Sequence, residues 1–245
     1  MRILGVDTSS AHASAAIVEN GRLLSEKFYR AQVSNTARAA HPRHNHAAIL
    51  LPLIDSALGG AALTLSDISG FAVAIGPGSF TGLRIGLSTV KGLAYGSDTP
   101  IIGVSTLHAI AARISDFNGV ICAILDARKK EVYAAIFRRS PRSLERLTDD
   151  AVMPCERLGE LLRQFNPPHS ILLTGDGTTA YGERLVLSLG NEVRVCRDET
   201  APTVAAAVAF LGEAHFACGG ALPQGAIAPH YLRPAEAQLG LPKSA

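Results

Sequence analysis

The chain has 245 residues, of which 47% are hydrophobic and only 5% aromatic, and its net charge is +2. A chain of this length buries about 70–75% of its unfolded surface, so it forms a sizeable core without disulfides or structural metals. This composition predicts a compact α/β protein with an aliphatic core, and the small charge excludes nucleic-acid binding driven by overall charge alone.

The cysteines and the apolar runs indicate the cellular compartment in which the protein is expected. Four cysteines are scattered without a Cys-x-x-Cys pair, which is typical of reduced thiols in the cytoplasm. The N-terminal apolar run is interrupted by Asp7, which argues against a signal peptide. No apolar run approaches the roughly eighteen residues of a membrane-spanning helix. We therefore expect a cytoplasmic protein without membrane contact.

The first predicted element is a β-hairpin that has a counterpart later in the chain. Residues Ile3–Val18 form an apolar strand that ends at Asp7, a polar turn and a returning strand. Residues Ala123–Phe137 repeat this plan with Asp126 at the end of the strand. In both hairpins an Ala-Ala-Ile triplet begins eight positions after the aspartate. The spacing indicates an internal duplication.

Two helices with broad apolar stripes are predicted in the first half, one from about His46 to Ala62 and one after a glycine-rich loop. Each stripe must cover the sheet in part, and a purely structural role is the alternative interpretation. The width of the stripes indicates an additional surface for a protein partner. The residues assigned to that surface are Ile49, Leu50, Leu53, Ile54, Leu83, Leu87 and Val90.

The glycine-rich loop joins a predicted strand to the second of these helices. Gly76, Gly78 and Gly82 permit positive φ and close backbone approach, and N–H groups at a helix start can hold an anion. The loop lacks the Gly-Lys-Ser/Thr of a P-loop and the spacing of a dinucleotide-binding fingerprint. A strand–turn–helix joint that needs no ligand is the alternative.

The remaining turn signals in the sequence divide the chain into two lobes and a tail. We expect an N-terminal lobe at 1–103, a C-terminal lobe at 104–220 whose last helix can pack back on the first lobe, and an irregular tail at 221–245. A second glycine loop at 175–177 mirrors the first. Two mixed-sheet lobes with flanking helices and a repeated plan describe the duplicated actin, Hsp70 and sugar-kinase architecture, built on an RNase H-like unit.

In ATPases of that architecture, glycine turns hold phosphates and a first-strand aspartate positions Mg²⁺ and water. Here Pro77 and Phe80 stand in the loop, and no lysine does, so we expect at most weak, vestigial nucleotide binding. An active ATP-dependent phosphotransferase that uses Asp7 and the glycine loops is the alternative. The residues assigned to this site are Asp7, Thr8, Gly76, Gly78, Gly82, Asp126, Gly175 and Gly177.

Metal and peptidase chemistry find no support in the residues. His41, His44 and His46 are close in sequence, but the last two would point to different faces of a helix, and no acidic residue joins them before Asp55. We expect no metal site. The chain has no His-Glu-x-x-His and no Gly-x-Ser-x-Gly, so a peptidase is excluded.

Residues 76–86 read Gly-Pro-Gly-Ser-Phe-Thr-Gly-Leu-Arg-Ile-Gly, which closely resembles the signature of the bacterial TsaB family, also called YeaZ. Further similar segments follow the family's order along most of the chain. They are Met1–Ser9, His46 with Leu50-Leu51-Pro52, Ile102–Leu107, Asp126-Ala127-Arg128 with Glu131-Val132-Tyr133, and Tyr231-Leu232-Arg233. The resemblance implies the same actin-like fold.

The resemblance also implies a function. TsaB-like proteins are non-catalytic partners of the homologous transferase TsaD, which they bind through the first-half helices. TsaD forms N6-threonylcarbamoyladenosine at position 37 of tRNA, and a TsaE-type ATPase joins the pair. The resemblance therefore implies a scaffold subunit that requires no cofactor, with ATP or ADP binding left to the assembled complex. It also implies a homodimer in isolation, indirect tRNA contact, and a glycoprotease label that reflects kinship alone.

Overall fold

The computed structural model describes residues 1–30, 46–165, 170–190, 193–196, 203–220 and 226–233. Within these residues the chain forms two compact units. Unit 1 comprises Met1–Ile114 and Asp198–Pro229, and unit 2 comprises Ser115–Arg197 and His230–Ala245. Each unit has its own mixed sheet and its own hydrophobic core.

The sheet of unit 1 has five strands in the order β3-β2-β1-β4-β5. Strands β1 to β3 are antiparallel neighbours, whereas β4 and β5 run parallel to β1. Asn20 and Gly21, both at positive φ, form the two-residue turn between β2 and β3, as is common in tight hairpins. The strands are β1 (Arg2–Asp7), β2 (Ala13–Glu19), β3 (Arg22–Tyr29), β4 (Gly70–Gly76) and β5 (Ile101–Ser105).

The sheet of unit 2 repeats this plan. Its order is β11-β10-β6-β7-β8, in which β6 to β8 are antiparallel and β10 and β11 run parallel to β6. One extra strand, β9, pairs with β7. The shared strand order confirms the predicted duplication. The strands are β6 (Gly119–Asp126), β7 (Glu131–Ser140), β8 (Ser143–Arg146), β9 (Ala151–Pro154), β10 (Ile171–Thr174) and β11 (Val193–Val195).

Six α-helices are described, along with a short 3-10 turn at Leu65–Asp67. In unit 1, α1 and α2 cover one face of the sheet, and α3 and α6 cover the other. In unit 2, α4 and α5 pack on the sheet. No helix in the described part of the chain is long and apolar enough to cross a membrane. The helices are α1 (His46–Gly60), α2 (Phe80–Tyr95), α3 (Thr106–Ala112), α4 (Cys155–Arg163), α5 (Gly177–Leu189) and α6 (Val204–Ala217).

Helix α6 belongs to unit 1 although it follows unit 2 in the chain. The Thr203 N–H, at its N-cap, donates to the Glu26 carboxylate at 2.9 Å. Near its other end, the Glu213 carboxylate accepts the N–H groups of Asn20 and Gly21 at 2.6 and 2.7 Å. These contacts bind α6 to the strands of the first sheet.

The boundaries of the units differ from the expected lobes. The expected division after residue 103 falls inside β5, and unit 1 continues to Ile114. It does so because β5 completes the first sheet beside β4, while α3 packs against α6 on the same sheet. The expected tail is also divided, since unit 2 resumes at His230.

Candidate functional site

The turn after β1 encloses Asp7. The side chain is 3% exposed, and its Oδ1 accepts the N–H of Ser9 at 3.0 Å. Burial raises the pKa of the Asp7 carboxyl, and the bonds from Ser9 and the charges of His46 and Arg113 offset part of that effect. The carboxyl is therefore held inside unit 1 and offers almost no surface to solvent.

The glycines of the first loop pack against this turn. A Cβ at Gly82 would overlap the Thr8 carbonyl oxygen, one at Gly86 would overlap the Thr8 hydroxyl, and one at Gly78 would overlap the Ser9 carbonyl oxygen. The Thr8 hydroxyl donates to the Gly82 carbonyl at 2.7 Å. Helix α2 thus presses its glycine-bearing side directly on the turn. Close packing within unit 1 accounts for these glycines without a ligand.

Several of the N–H groups at the start of α2 already have partners within the chain. The Ser79 N–H donates to the Ser9 carbonyl at 2.6 Å. The Ser79 hydroxyl caps the helix by accepting the Gly82 N–H at 3.2 Å, and the Leu83 N–H donates to the Ser79 carbonyl at 2.8 Å. The Arg84 guanidinium lies 3.9 Å from the centre of the Phe80 ring. Donors that would hold an anion at a helix start are here used in part by the chain itself.

The second glycine loop packs on the end of β6 in a similar way. Gly175 has a φ of 102°, and a Cβ there would overlap the Ile124 carbonyl oxygen. A Cβ at Gly177 would press on Ile124 and Leu125. The backbone N–H of Asp126 donates to the Asp176 carboxylate at 3.2 Å. This loop therefore joins β10 to α5 and ties it to β6.

The two strand-end aspartates lie on different faces of their sheets. Asp7 alternates with Ile3 on the face that α6 covers, whereas Asp126 alternates with Ile124 on the face that α4 and α5 cover. The pairing register explains the difference, since Ala15 pairs with Val6 but Ala134 pairs with Ile124. Relative to the aspartate, the second hairpin is one residue out of register with the first. The equal spacing in the sequence therefore does not make the two aspartates structurally equivalent.

Asp126 also has different partners from Asp7. Its Oδ1 accepts the N–H of Arg128 at 2.8 Å and the hydroxyl of Tyr181, on α5, at 3.3 Å. The Arg128 guanidinium lies 4.0 Å from its Oδ2. The sequence had not indicated Tyr181 or Arg128 as neighbours of Asp126. Weak nucleotide binding by the eight assigned residues stays a prediction.

Most of the residues predicted for the partner surface lie in the core of unit 1, and their part in partner binding stays a prediction. The apolar side of each helix faces the sheet, as helical periodicity requires of a covering helix. The half-buried Leu53 packs on the edge of the same core, and Ile49 is also half-buried. The five residues that lie in the core are Leu50, Ile54, Leu83, Leu87 and Val90.

Two exposed side chains on the same helices were missed. Leu51 of α1 is 51% exposed and Tyr95 of α2 is 83% exposed. Leu51 stands directly beside Leu50, and only the helical phase separates the exposed leucine from the buried one. No residue type in the sequence distinguishes them.

The histidine cluster falls mostly outside the described residues, because His41 and His44 are not among them. His46 begins α1, is buried, and has its Nε2 3.4 Å from the Ala11 carbonyl oxygen. Within the parts of the chain that the structure describes, no group of three or more His, Cys, Asp or Glu side chains is placed to hold a metal ion.

Comparison with known proteins identifies the family. The family model TsaD, described as tRNA N6-adenosine threonylcarbamoyltransferase, matches residues 31–222. The tRNA threonylcarbamoyladenosine biosynthesis protein TsaB of Escherichia coli K12 is 34% identical over 169 residues, 68% of each chain. The chain belongs to the TsaB family. The TsaB protein of Bacillus subtilis 168 is 29% identical over 238 residues, 97% of this chain and 96% of the relative.

Solved structures confirm the family and the fold. YeaZ from Pseudomonas aeruginosa matches this TsaB-family chain with a TM-score of 0.74 and 28% identity, over 94% of this chain and 99% of the other. A ROK hexokinase from Thermus thermophilus matches with a TM-score of 0.51 and 12% identity, over 89% of this chain and 100% of the other. The latter likeness concerns the fold alone. The predicted actin, Hsp70 and sugar-kinase-like fold is confirmed.

Proposed function

We propose that this protein is a non-catalytic scaffold subunit in the formation of threonylcarbamoyladenosine at position 37 of tRNA. It binds a TsaD-type transferase and activates it. The names of the TsaB relatives and the match to the TsaD family model support this assignment. The observation that carries the non-catalytic role is the first glycine loop, which packs on Thr8 and Ser9 of its own chain.

The geometry of unit 1 favours a scaffold over an ATPase. Phosphoryl transfer depends on electrostatic groups that reach the phosphates and their metal ion. Here the Asp7 carboxyl is enclosed, and N–H groups at the start of α2 donate within the chain. The alternative, an active phosphotransferase, is favoured by one observation, the placement of Asp7 at the end of the first strand in a sugar-kinase-like fold.

The partner surface is assigned to the outward sides of α1 and α2. Their inward sides form the core, whereas the large hydrophobic side chains of Leu51 and Tyr95 are exposed. Exposed apolar and aromatic side chains of this kind are typical anchors of protein interfaces. We propose that the TsaD-type subunit docks here, and that the isolated chain forms a homodimer over the same surface. A TsaE-type ATPase joins the pair, ATP or ADP binds only in that assembly, and this subunit works in the cytoplasm without its own cofactor.

Reconstitution tests this proposal. The purified chain is assayed for ATP hydrolysis alone, and for tRNA threonylcarbamoylation with matching TsaD-type and TsaE-type proteins. We expect no hydrolysis by the chain alone, a strict requirement for it in the mixture, and full modification with the Asp7→Asn variant. ATP turnover by the chain alone that Asp7→Asn abolishes would establish the phosphotransferase instead.

The same mixture tests the docking surface. Leu51→Asp places a charge on an exposed position of α1 and should weaken association with the TsaD-type subunit at least tenfold in sedimentation. Leu187→Asp is the matched control, since Leu187 is 86% exposed on α5 of unit 2. If both variants bind the partner equally well, the assigned surface is wrong.

A further inference from the structure

The turn between β6 and β7 contains three consecutive basic residues in the left-handed region. The φ angles are 62° at Arg128, 53° at Lys129 and 65° at Lys130. Non-glycine residues are uncommon in this region, because the Cβ atom crowds the backbone there. Such conformations persist only where the surrounding structure enforces them, and they cluster at functional positions.

Several contacts hold the turn in this conformation. The Ala127 N–H donates to the Glu131 carbonyl at 3.0 Å, and the Glu131 N–H donates to the Arg128 carbonyl at 2.9 Å. The Asp126 carboxylate accepts the Arg128 N–H. Together these bonds close a tight loop over the end of the hairpin.

Arg233 braces the same turn from the C-terminal segment of unit 2. Its guanidinium donates to the Ala127 carbonyl at 2.8 Å and forms an ion pair with the Glu131 carboxylate. A planar guanidinium suits such a double contact. The Glu131 carboxylate, which follows the turn, is thereby paired with Arg233.

The three basic side chains project from this rigid turn into solvent. The Arg128 side chain is 86% exposed, and Lys129 and Lys130 are also exposed. The Asp126 carboxylate lies 4.0 Å from the Arg128 guanidinium, at the limit of an ion pair. The turn therefore presents three exposed cations in a fixed arrangement, with the Asp126 carboxylate beside Arg128.

The other basic segment of unit 2 is less exposed. Arg138 pairs with Glu145 at 3.3 Å. Arg146 pairs with Asp150 at 2.6 Å, and that aspartate is only 4% exposed. The side chains of Arg138 and Arg146 are 49% and 29% exposed, against 86% for Arg128, so the β6–β7 turn presents its cations more openly to solvent.

We infer that the β6–β7 turn, residues 128–130, contacts the phosphate backbone of tRNA directly. This inference rests on the proposed function and replaces the indirect tRNA contact that the family resemblance implies. Lysine and arginine on a fixed backbone bind phosphates without reading the sequence, which suits a subunit that positions tRNA for another enzyme. A protein partner fits less well, because residues 128–130 themselves carry only basic side chains and none of the apolar or aromatic anchors of protein interfaces.

The salt dependence of tRNA binding tests the inference. The assembled pair of this chain with the TsaD-type subunit is titrated with an unmodified tRNA transcript at several salt concentrations. The double variant Lys129→Ala/Lys130→Ala should lower the affinity about fivefold or more. It should also reduce the slope of log K against log salt by about 1.4–1.8, since each phosphate contact contributes about 0.7–0.9.

The matched control removes two equal charges elsewhere in unit 2. Arg138→Ala/Arg142→Ala changes exposed residues of the β7–β8 hairpin and should leave the slope unchanged. An equal loss of tRNA affinity and salt slope in both double variants would mean that only the net charge of the protein matters. That result would overturn the inference. Weaker association with the TsaD-type subunit, with unchanged tRNA affinity of the assembled pair, would show a protein contact and overturn it as well.

A third measurement separates this inference from the proposed function. tRNA binding by the full chain alone is titrated with the same variants, and modification by the complete mixture is assayed in parallel. If the mixture modifies tRNA without this chain while Lys129→Ala/Lys130→Ala still lowers the salt slope, the scaffold proposal fails and the RNA contact stands. If modification requires the chain but the slope does not change, the reverse holds.

Discussion

The β1–β2 turn and the β6–β7 turn occupy corresponding places in two sheets of the same strand order. In unit 1, Asp7, Thr8 and Ser9 are buried and the last two pack against the start of α2, whereas Ala11 and His12 later in the turn are exposed. In unit 2 the turn is open, left-handed and basic. One fold plan therefore gives a packed joint in one unit and an exposed charged loop in the other. Fold alone does not assign function to either turn.

The helices that follow the glycine loops account for the difference. Helix α2 presents Gly82 and Gly86 to the first turn, so its backbone approaches Thr8 directly. Helix α5 presents Tyr181, whose hydroxyl reaches the Asp126 carboxylate at 3.3 Å. The contact reaches only the aspartate at the end of β6, and the three basic residues of the turn remain exposed.

The largest expected effect tests the packed joint. Gly82→Ala places a methyl group on the Thr8 carbonyl oxygen, a backbone atom that cannot move aside. We expect the free energy of unfolding to fall by about 3 kcal/mol, as for other overpacked or strained positions. Urea unfolding of the full chain measures this change.

The control lies in the same helix. A Cβ at Gly92 meets nothing within 4 Å, so Gly92→Ala should stabilise the protein by about 0.5–1 kcal/mol through helix propensity. If Gly82→Ala is as harmless as Gly92→Ala, the joint between α2 and the first turn is not closely packed. The β1–β2 turn of unit 1 would then not differ in packing from the β6–β7 turn of unit 2.

A pH series tests the enclosure of Asp7. Its folded-state pKa is raised above the usual 3.8, so the stability associated with neutral Asp7 is complete below pH 3.8 and is lost as pH rises through the raised value. Asn does not titrate. The stability of Asp7→Asn relative to wild type should therefore increase across that window, by at most about 1.4 kcal/mol per pH unit, and then level off. Urea midpoints between acid and neutral pH measure the difference.

At Asp67 the stability should depend on pH in the opposite direction. Hydrogen bonds from Thr64 lower the pKa of Asp67, so its contribution is present above pH 3.8 and is lost as pH falls through the lowered value. The free energy of unfolding of Asp67→Asn, relative to wild type, should therefore decrease as pH rises. Parallel slopes for Asp7→Asn and Asp67→Asn would contradict the enclosure of Asp7.

The sequence predicted the fold because hydrophobic periodicity reports burial, and burial defines strands and helices. It did not separate core positions from surface positions on α1 and α2, because an apolar stripe indicates that a side chain is buried but not what buries it. Leu87 and Val90 matched an interface pattern and lie in the core. The return of the last helix to the first lobe was expected from the sequence, and α6 does belong to unit 1, where its N-cap contacts Glu26.

The turns were also beyond sequence reasoning, for a different reason. Glycine and asparagine signal a left-handed turn, as at Asn20 and Gly21. Arg128-Lys129-Lys130 contains neither residue type. Its left-handed conformation is imposed instead by contacts with Asp126 and Arg233, which the sequence does not reveal. The register shift between the hairpins is similarly set by turn length, which the matching Ala-Ala-Ile triplets concealed.

The smallest expected effect tests the open turn. Lys129→Gly removes the left-handed penalty and should stabilise the protein by about 1 kcal/mol, whereas Lys129→Ala removes the same charge and keeps the penalty. Both variants lack the ammonium group, so the difference between their melting temperatures measures the cost of the left-handed backbone conformation alone. Equal melting temperatures would mean that the turn holds no conformational cost. It would then be an ordinary solvated loop, and only its charge would distinguish it from the packed turn of unit 1.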